Sequence, residues 1–319
     1  MLIGMSDSGQ LTMANQANGN TAYYCPHCKS KLILKKGNTK VPHFAHYHLS
    51  TTYCSKSETL LHYQVKYYLA YLLKNHGYDV QIEPYIKGAY QYPDLLVNQQ
   101  FALEIQFSNI SITEIQKRTL GLQLRGIQVI WIADLNKIMT SQMRFNQMIS
   151  SFIHPYNRNL YAFDTGSQTL KVIENIQHIG GSRFKGKLRI ANIDTFFQQR
   201  KSEITHEVKR LTSTQVHRYV KSCRKARSVL EPTLSSLYQM RKNAEWLAHH
   251  CNYLFPQQLY ICNHPIAWQV QLYQQLMRGD FDIHNFQKLL KFRTFYIEGP
   301  TPEMITQQIV SQFKQIERL

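Results

Sequence analysis

The sequence predicts an α/β fold with a compact Cys/His segment before it and a helical region after it. Three observations predict this. Apolar residues recur at helical spacing from Leu60 to Leu72. Three short strand-like runs follow in close succession, and a second helical pattern then leads into the buried run Gln128–Ile132. The resulting order is helix, three strands, helix, strand.

Residues 1–20 are rich in Gly, Asn, Gln and Ser and read as a flexible arm. Residues 21–55 form a zinc-finger-like segment, too short to bury a core of its own. Cys25 and Cys28 are spaced C-x-x-C, which lets two thiolates reach one ion. His43 and His46 follow, with His48 and Cys54 nearby, and a structural Zn²⁺ needs two of these four to complete a tetrahedron. Lys29, Lys31, Lys35, Lys36 and Lys40 stud the segment.

Residues 56–200 hold the α/β core. Ser57 can cap the first helix, and Gly77 follows its last turn. The strand-like runs are Asp79–Ile86, Pro93–Val97 and Phe101–Phe107, with the polar turn Asn98-Gln99-Gln100 between the last two. Ile112–Leu124 reads as a helix. Leu160–Phe163 and Leu170–Ile173, joined through Asp164-Thr165-Gly166, extend the sheet or cover its edge. Residues 201–319 read as a basic helical domain, with Trp246, Tyr253, Phe255 and Trp268 in its core.

The carboxylates carry the chemistry. Phosphodiester cleavage needs an activated water and charge stabilisation, which Mg²⁺ or Mn²⁺ held by a few carboxylates supplies. Asp94 opens the apolar strand Leu95-Leu96-Val97, and Glu104 interrupts an apolar run. Gln106, two residues on, shares the face of Glu104. An acid inside an apolar strand is costly unless it is paired or metal-bound. The plainer alternative is a pair of edge-strand acids facing solvent, which Glu104-Ile105-Gln106 in its apolar setting argues against. On the preceding helix Glu58, His62 and Lys66 are spaced i, i+4, i+8. They suit a supporting acid and a phosphate-facing base, and equally an exposed ladder. Glu83 is a further acid near a strand end.

Lys plus Arg number 37 against 20 acids, a formal net charge of +17. That excess fits a polyanionic partner. It is densest over 200–227, where Lys209, Arg210, Arg218, Lys221, Arg224, Lys225 and Arg227 are the expected DNA contacts. Tyr219 and Tyr238 could offer stacking faces for unpaired bases. No apolar run approaches the roughly 20 residues of a membrane span, and the first residues do not read as a signal peptide. The expectation is a cytoplasmic protein whose six cysteines are reduced thiols or metal ligands.

From Cys25-Pro26-His27-Cys28 through His43-Phe44-Ala45-His46, Glu58, His62 and Lys66, the chain resembles the competence protein CoiA family. The likeness continues over Pro93-Asp94, Glu104-Ile105-Gln106-Phe107-Ser108, Arg118 and Ile130-Trp131-Ile132. It is clear over residues 23–135 and weaker to about 200. It implies a PD-(D/E)XK restriction-endonuclease-like core that processes incoming single-stranded DNA in natural transformation, ahead of recombination proteins. By this resemblance Asp94 and Glu104 are metal ligands, Glu58 is the helix acid, and Gln106 stands where Lys is usual. Tyr92 stands where a basic residue is usual. Because Gln106 cannot offset transition-state charge, a second reading stands beside the nuclease: a catalytically weak, single-stranded-DNA-binding adaptor that keeps the fold. A zinc-stapled protein–protein module without DNA contact fits the +17 charge poorly.

Overall fold

Alternation of apolar residues builds two sheets, and one helix lies between them. A computed structural model describes residues 3–25, 29–36, 42–47, 60–138, 143–198, 207–225, 228 and 231–319. The first sheet contains β1 (Ile3–Ser6), β2 (Leu11–Met13), β3 (Tyr23–Tyr24), β4 (Lys31–Lys35) and β5 (His43–His46), in the order β2-β1-β3-β4-β5. The segment expected to be a flexible arm therefore supplies two strands. Its polar composition hid a hairpin whose turn places Gly9 at φ +80°. Its buried face, with Tyr23, Leu32 and Phe44, packs on Tyr63 and Tyr67 of α1 (Leu60–Asn75). Gly4 permits this packing, since a Cβ there would sit 3.0 Å from the Phe44 ring.

The opposite flank of α1 buries Val65, Leu69 and Leu73 against the second sheet. The helix stops where Gly77 adopts φ +82°. The elements that follow are β6 (Val80–Ile82), β7 (Leu95–Val97), β8 (Phe101–Gln106), α2 (Ile112–Gln123), β9 (Gln128–Asp134), α3 (Gln147–Ser151), β10 (Leu160–Asp164), β11 (Thr169–Gly180) and β12 (Arg183–Ile190). Ser111 caps α2 by accepting from the Glu114 amide at 3.1 Å. The strand order is β12-β11-β10-β9-β8-β7-β6, parallel across β8-β9-β10 and antiparallel elsewhere. Leu95, Leu103, Ile105 and Ile130 face α1, whereas Leu96, Ala102, Val129 and Trp131 face α2. The expected order of helix, three strands, helix and strand is present, and β12 is an addition that the sequence reading did not include.

The chain then forms β13 (Lys209–Arg210), α4 (Ser213–Lys225), α5 (Pro232–Met240), α6 (Ala244–His250), β14 (Tyr253–Leu254), α7 (Pro265–Arg278), α8 (Ile283–Leu289) and α9 (Pro302–Glu317). Phe255, Trp268, Phe286 and Phe313 are buried in the same cluster as Trp131, Leu160 and Ile173 of the second sheet. Tyr253 joins them, whereas Trp246 is half-buried in the neighbouring cluster around α4. One buried cluster thus includes residues on both sides of position 200. Polar ties cross that position as well: Tyr260 donates to the Pro155 carbonyl at 2.9 Å, and Arg293 donates to Ser150 Oγ at 2.9 Å.

Candidate active site

Strand register brings the acids together. In the β7–β8 hairpin Leu95 faces Leu103, so Asp94 and Glu104 occupy the next step. In the β6–β7 ladder Ile82 faces Leu95, and the Glu83 amide donates to the Asp94 carbonyl at 3.1 Å. Glu83, Asp94 and Glu104 therefore form one row across three neighbouring chain segments. The row continues to Trp131, which pairs with Glu104 in the β8–β9 ladder.

Each carboxylate has different partners. Asp94 is buried; its Oδ2 accepts from the Ile105 amide at 2.8 Å and contacts His62 Nε2 at 3.1 Å. Lys66, whose side chain is fully buried, reaches Asp94 Oδ1 at 3.5 Å and also pairs with Glu83. Glu104 is 1% exposed and pairs through Oε2 with Arg118 of α2, whose guanidinium lies 5.3 Å from the Trp131 ring centre. Its other oxygen, Oε1, is buried and has no hydrogen-bond partner among the described residues.

Burial pushes the Glu104 carboxyl up to about 8. Arg118 opposes that rise and the Asp94 charge adds to it. A bare, desolvated carboxylate oxygen beside a second carboxylate is the donor set that a hard divalent cation takes, so Asp94 and Glu104 fit Mg²⁺ or Mn²⁺. Gln106 is buried on the same face and donates through Nε2 to the Ser108 carbonyl and to Ser108 Oγ, both at 2.8 Å.

The remaining candidates are dispersed. Glu58, Cys28 and Arg227 lie outside the described residues, as do His48 and Cys54. Cys25 is buried, with its Sγ 3.4 Å from Tyr63 Oη, and its amide and carbonyl close a turn with Ser30 and Lys29. Along β5, alternation puts His46 on the face of Phe44 and Cys25 and His43 on the other face. The histidine pair expected to share one zinc therefore diverges at the strand. Among the described residues no group of three His, Cys, Asp or Glu side chains could hold a metal.

Lys209 and Arg210 are exposed on β13, where Arg210 donates to Tyr253 Oη at 3.2 Å and lies 4.7 Å from that ring's centre. On α4, Val216, Val220 and Cys223 face inward and Arg218, Lys221, Arg224 and Lys225 face solvent. Lys221 and Arg224 line a groove of about 690 Å³ together with Lys242, Glu245 and Tyr238, which is 85% exposed. Tyr219 is instead stacked on His264 at 3.8 Å, which removes it as a stacking face.

Comparison with known families gives two matches. Residues 58–208 match the nuclease-like domain of competence protein CoiA, and residues 8–55 match the CoiA N-terminal domain. The chain belongs to the CoiA family. A Competence protein CoiA of Bacillus subtilis (strain 168) is 31% identical over 138 residues, which is 42% of this chain and 37% of that protein. The aligned part is thus well under half of the relative's length. No solved structure matches the chain. Among the described residues no helix is long and apolar enough to cross a membrane.

Two residues beside these carboxylates stand apart from them in the sequence. Glu83 looked like a strand-end acid, and only the register of two successive antiparallel pairs aligns it with Asp94 and Glu104. Arg118 lies 14 residues from Glu104, on a helix whose apolar stripe is carried by Ile115, Thr119 and Leu122. In the sequence Arg118 stands out only through the family resemblance, and its turn position beside those residues is the local signal.

Proposed function

We propose that this CoiA-family chain is a divalent-metal-dependent deoxyribonuclease of the PD-(D/E)XK type. It would act on incoming single-stranded DNA during natural transformation and pass it to recombination proteins. The observation that carries the reading is the Glu83–Asp94–Glu104 row, in which Glu104 Oε1 is buried without a partner among the described residues. Asp94 and Glu104 would hold Mg²⁺ or Mn²⁺, and the bound metal supplies an activated water and charge stabilisation at the phosphate.

The protein's own groups orient these ligands. The Ile105 amide and His62 fix Asp94, and Arg118 fixes Glu104 by one oxygen and leaves the other for the ion. Lys66 brings a buried positive charge to the row, in a site where Gln106 brings none. Glu58 would add a supporting acid, as the family likeness implies.

A second reading rests on Gln106. Both of its amide contacts go to Ser108, and it carries no charge for a transition state. A protein that holds DNA and cuts it poorly, acting as an adaptor, follows from that feature. One experiment separates the readings. The full chain is assayed on single- and double-stranded DNA with Mg²⁺ and Mn²⁺, and binding is measured in EDTA. Under the nuclease reading Asp94→Ala and Glu104→Ala each abolish cleavage and leave binding largely intact. Tight binding with no cleavage by the wild type favours the adaptor. Cleavage that survives both substitutions overturns the assigned site.

A further inference from the structure

Away from the carboxylate row, two arginines from separate parts of the chain face one another at the tip of the β11–β12 hairpin, and a third comes near enough to act on their charge. Arg144 and Arg183 are directly opposite one another in an isolated antiparallel bridge. The bridge is held by the Phe145 amide on the Ser182 carbonyl at 3.0 Å and the Phe184 amide on the Met143 carbonyl at 2.8 Å. Arg218 arrives from α4. Its neighbour Tyr219 stacks on His264, whose ring lies where a Cβ on Gly180 would be, and Gly180 is the pairing partner of Arg183. Burial, then Arg218, then Arg144 lower the Arg183 pKa.

Like charges placed directly opposite one another are destabilising. Among the described residues no ion pair relieves these three; the one pair on β12 is Arg189 with Glu174 at 3.2 Å. The strand extends the charge. Arg183, Lys185, Lys187 and Arg189 alternate on one side of β12, the last strand in the sheet order, whose outer edge is bridged by residues 143–145 only at Arg183. Alternate strand residues are spaced about 6.8 Å apart, comparable to the separation of successive phosphates along one nucleic-acid strand. Lysines on an edge strand also deter strand pairing. That role does not account for Arg144, which is paired opposite Arg183, or for Arg218 on α4, both of which add repulsion.

We propose that Arg144, Arg183 and Arg218, continued by Lys185 and Lys187, form a docking track for the phosphodiester backbone of a nucleic-acid strand. Guanidinium groups grip phosphate oxygens by paired N–H donors, and one bound polyanion offsets all three charges at once. The proposal deepens the nucleic-acid reading above and rests on it. It adds to the α4 cations a surface that depends on the sheet.

The test uses the full chain, labelled oligo(dT) and EDTA, so that neither metal nor cleavage enters. Binding is followed against salt concentration for wild type and for Arg144→Gln/Arg183→Gln/Arg218→Gln. The slope of log affinity against log salt is expected to become shallower by about 2, from three lost phosphate contacts at roughly 0.7 each on single strands. The melting temperature of the unliganded triple variant should rise, because repulsion is removed; a purely structural role would lower it. If the triple variant fails to fold, Arg218→Gln alone, at an exposed α4 position, should lower the slope by about 0.7. An unchanged slope in a folded variant overturns the track while leaving DNA binding elsewhere intact. Polyglutamate that displaces oligo(dT) as readily as unlabelled DNA overturns it in favour of an acidic protein partner. Failure of the wild type to bind oligo(dT) at all sinks both this inference and the reading beneath it.

Discussion

Lys66 Nζ lies 3.5 Å from Asp94 Oδ1 with its side chain fully buried, and the same ammonium pairs with Glu83. A helix thus delivers a desolvated cation to the middle of an acidic row. Removing one member of such a cluster leaves charge buried without compensation. Lys66→Met should cost about 3 kcal/mol in urea denaturation of the metal-free protein. Mg²⁺ should recover part of that loss, because the ion supplies the missing positive charge. A loss that Mg²⁺ leaves untouched would place the contribution of Lys66 in packing.

Gln106 offers the complementary test. Its amide is occupied by Ser108, and a lysine there would carry a charge toward any phosphate bound at Asp94 and Glu104. Gln106→Lys should raise Mg²⁺-dependent cleavage on the order of tenfold if the rest of the site is complete. Gln106→Ala should have a mild effect. Lower activity in the lysine variant, with unchanged DNA binding, would count against a phosphate bound on that face.

His178 sets an acid limit on stability. Its Nε2 contacts the Gly181 carbonyl at 2.8 Å and its Nδ1 contacts Gln258 Nε2 at 3.2 Å, an arrangement that suits the neutral ring. Burial lowers its pKa to about 4, with Arg293 adding to the effect. The folded value lies below the unfolded one, so its contribution is present above about pH 6.5 and is lost as pH falls through about 4. Within that window a single such group changes stability by up to about 1.4 kcal/mol per pH unit. His178→Asn should be less stable at pH 7 and should lose less on going from pH 7 to pH 5, read by urea midpoints at both values. Parallel losses in the two proteins would exclude His178 as the titrating group.

The N-terminal unit makes a separate prediction about zinc. If the C-x-x-C pair closes a structural site, purified protein should contain about one Zn per chain by elemental analysis. Cys25→Ala should release it and lower the melting temperature. Because His43 and His46 point to opposite faces of β5, His46→Ala should matter more than His43→Ala. Metal-free protein that melts like the wild type would remove zinc from the account.

Much of the second sheet was legible because its apolar runs are long and its turn residues sit where turns occur. Asn98 and Gln99 both adopt positive φ at the β7–β8 turn, as a polar tripeptide between apolar runs suggests. The pairing of Asp94 with Glu104 was legible from that turn. What escaped notice had weak local signals. β12 reads Arg-Phe-Lys-Gly-Lys-Leu-Arg-Ile; it alternates basic with apolar residues, but Gly186 interrupts the apolar side and Phe184 is its one deeply buried side chain, so the apolar signal is weak. β1 and β2 lie in a polar stretch and gain their burial from α1, distant in sequence. The diverging histidines of β5 became visible only once strand alternation replaced linear spacing. The Arg144–Arg183 opposition joins segments about 40 residues apart, and no window along the chain can display it.

The match to the nuclease-like domain ends at residue 208, but the apolar interior runs on to Phe313 of α9. A boundary drawn by family likeness therefore cuts through one buried apolar cluster. A fragment stopping at 208 would present Trp131, Leu160 and Ile173 without Phe255, Trp268 and Phe313 over them, an open apolar patch of the kind that drives aggregation. Recombinant work on the nuclease-like domain alone should accordingly meet insoluble material. Calorimetry of the whole chain should show the second sheet and helices α7–α9 melting in a single transition.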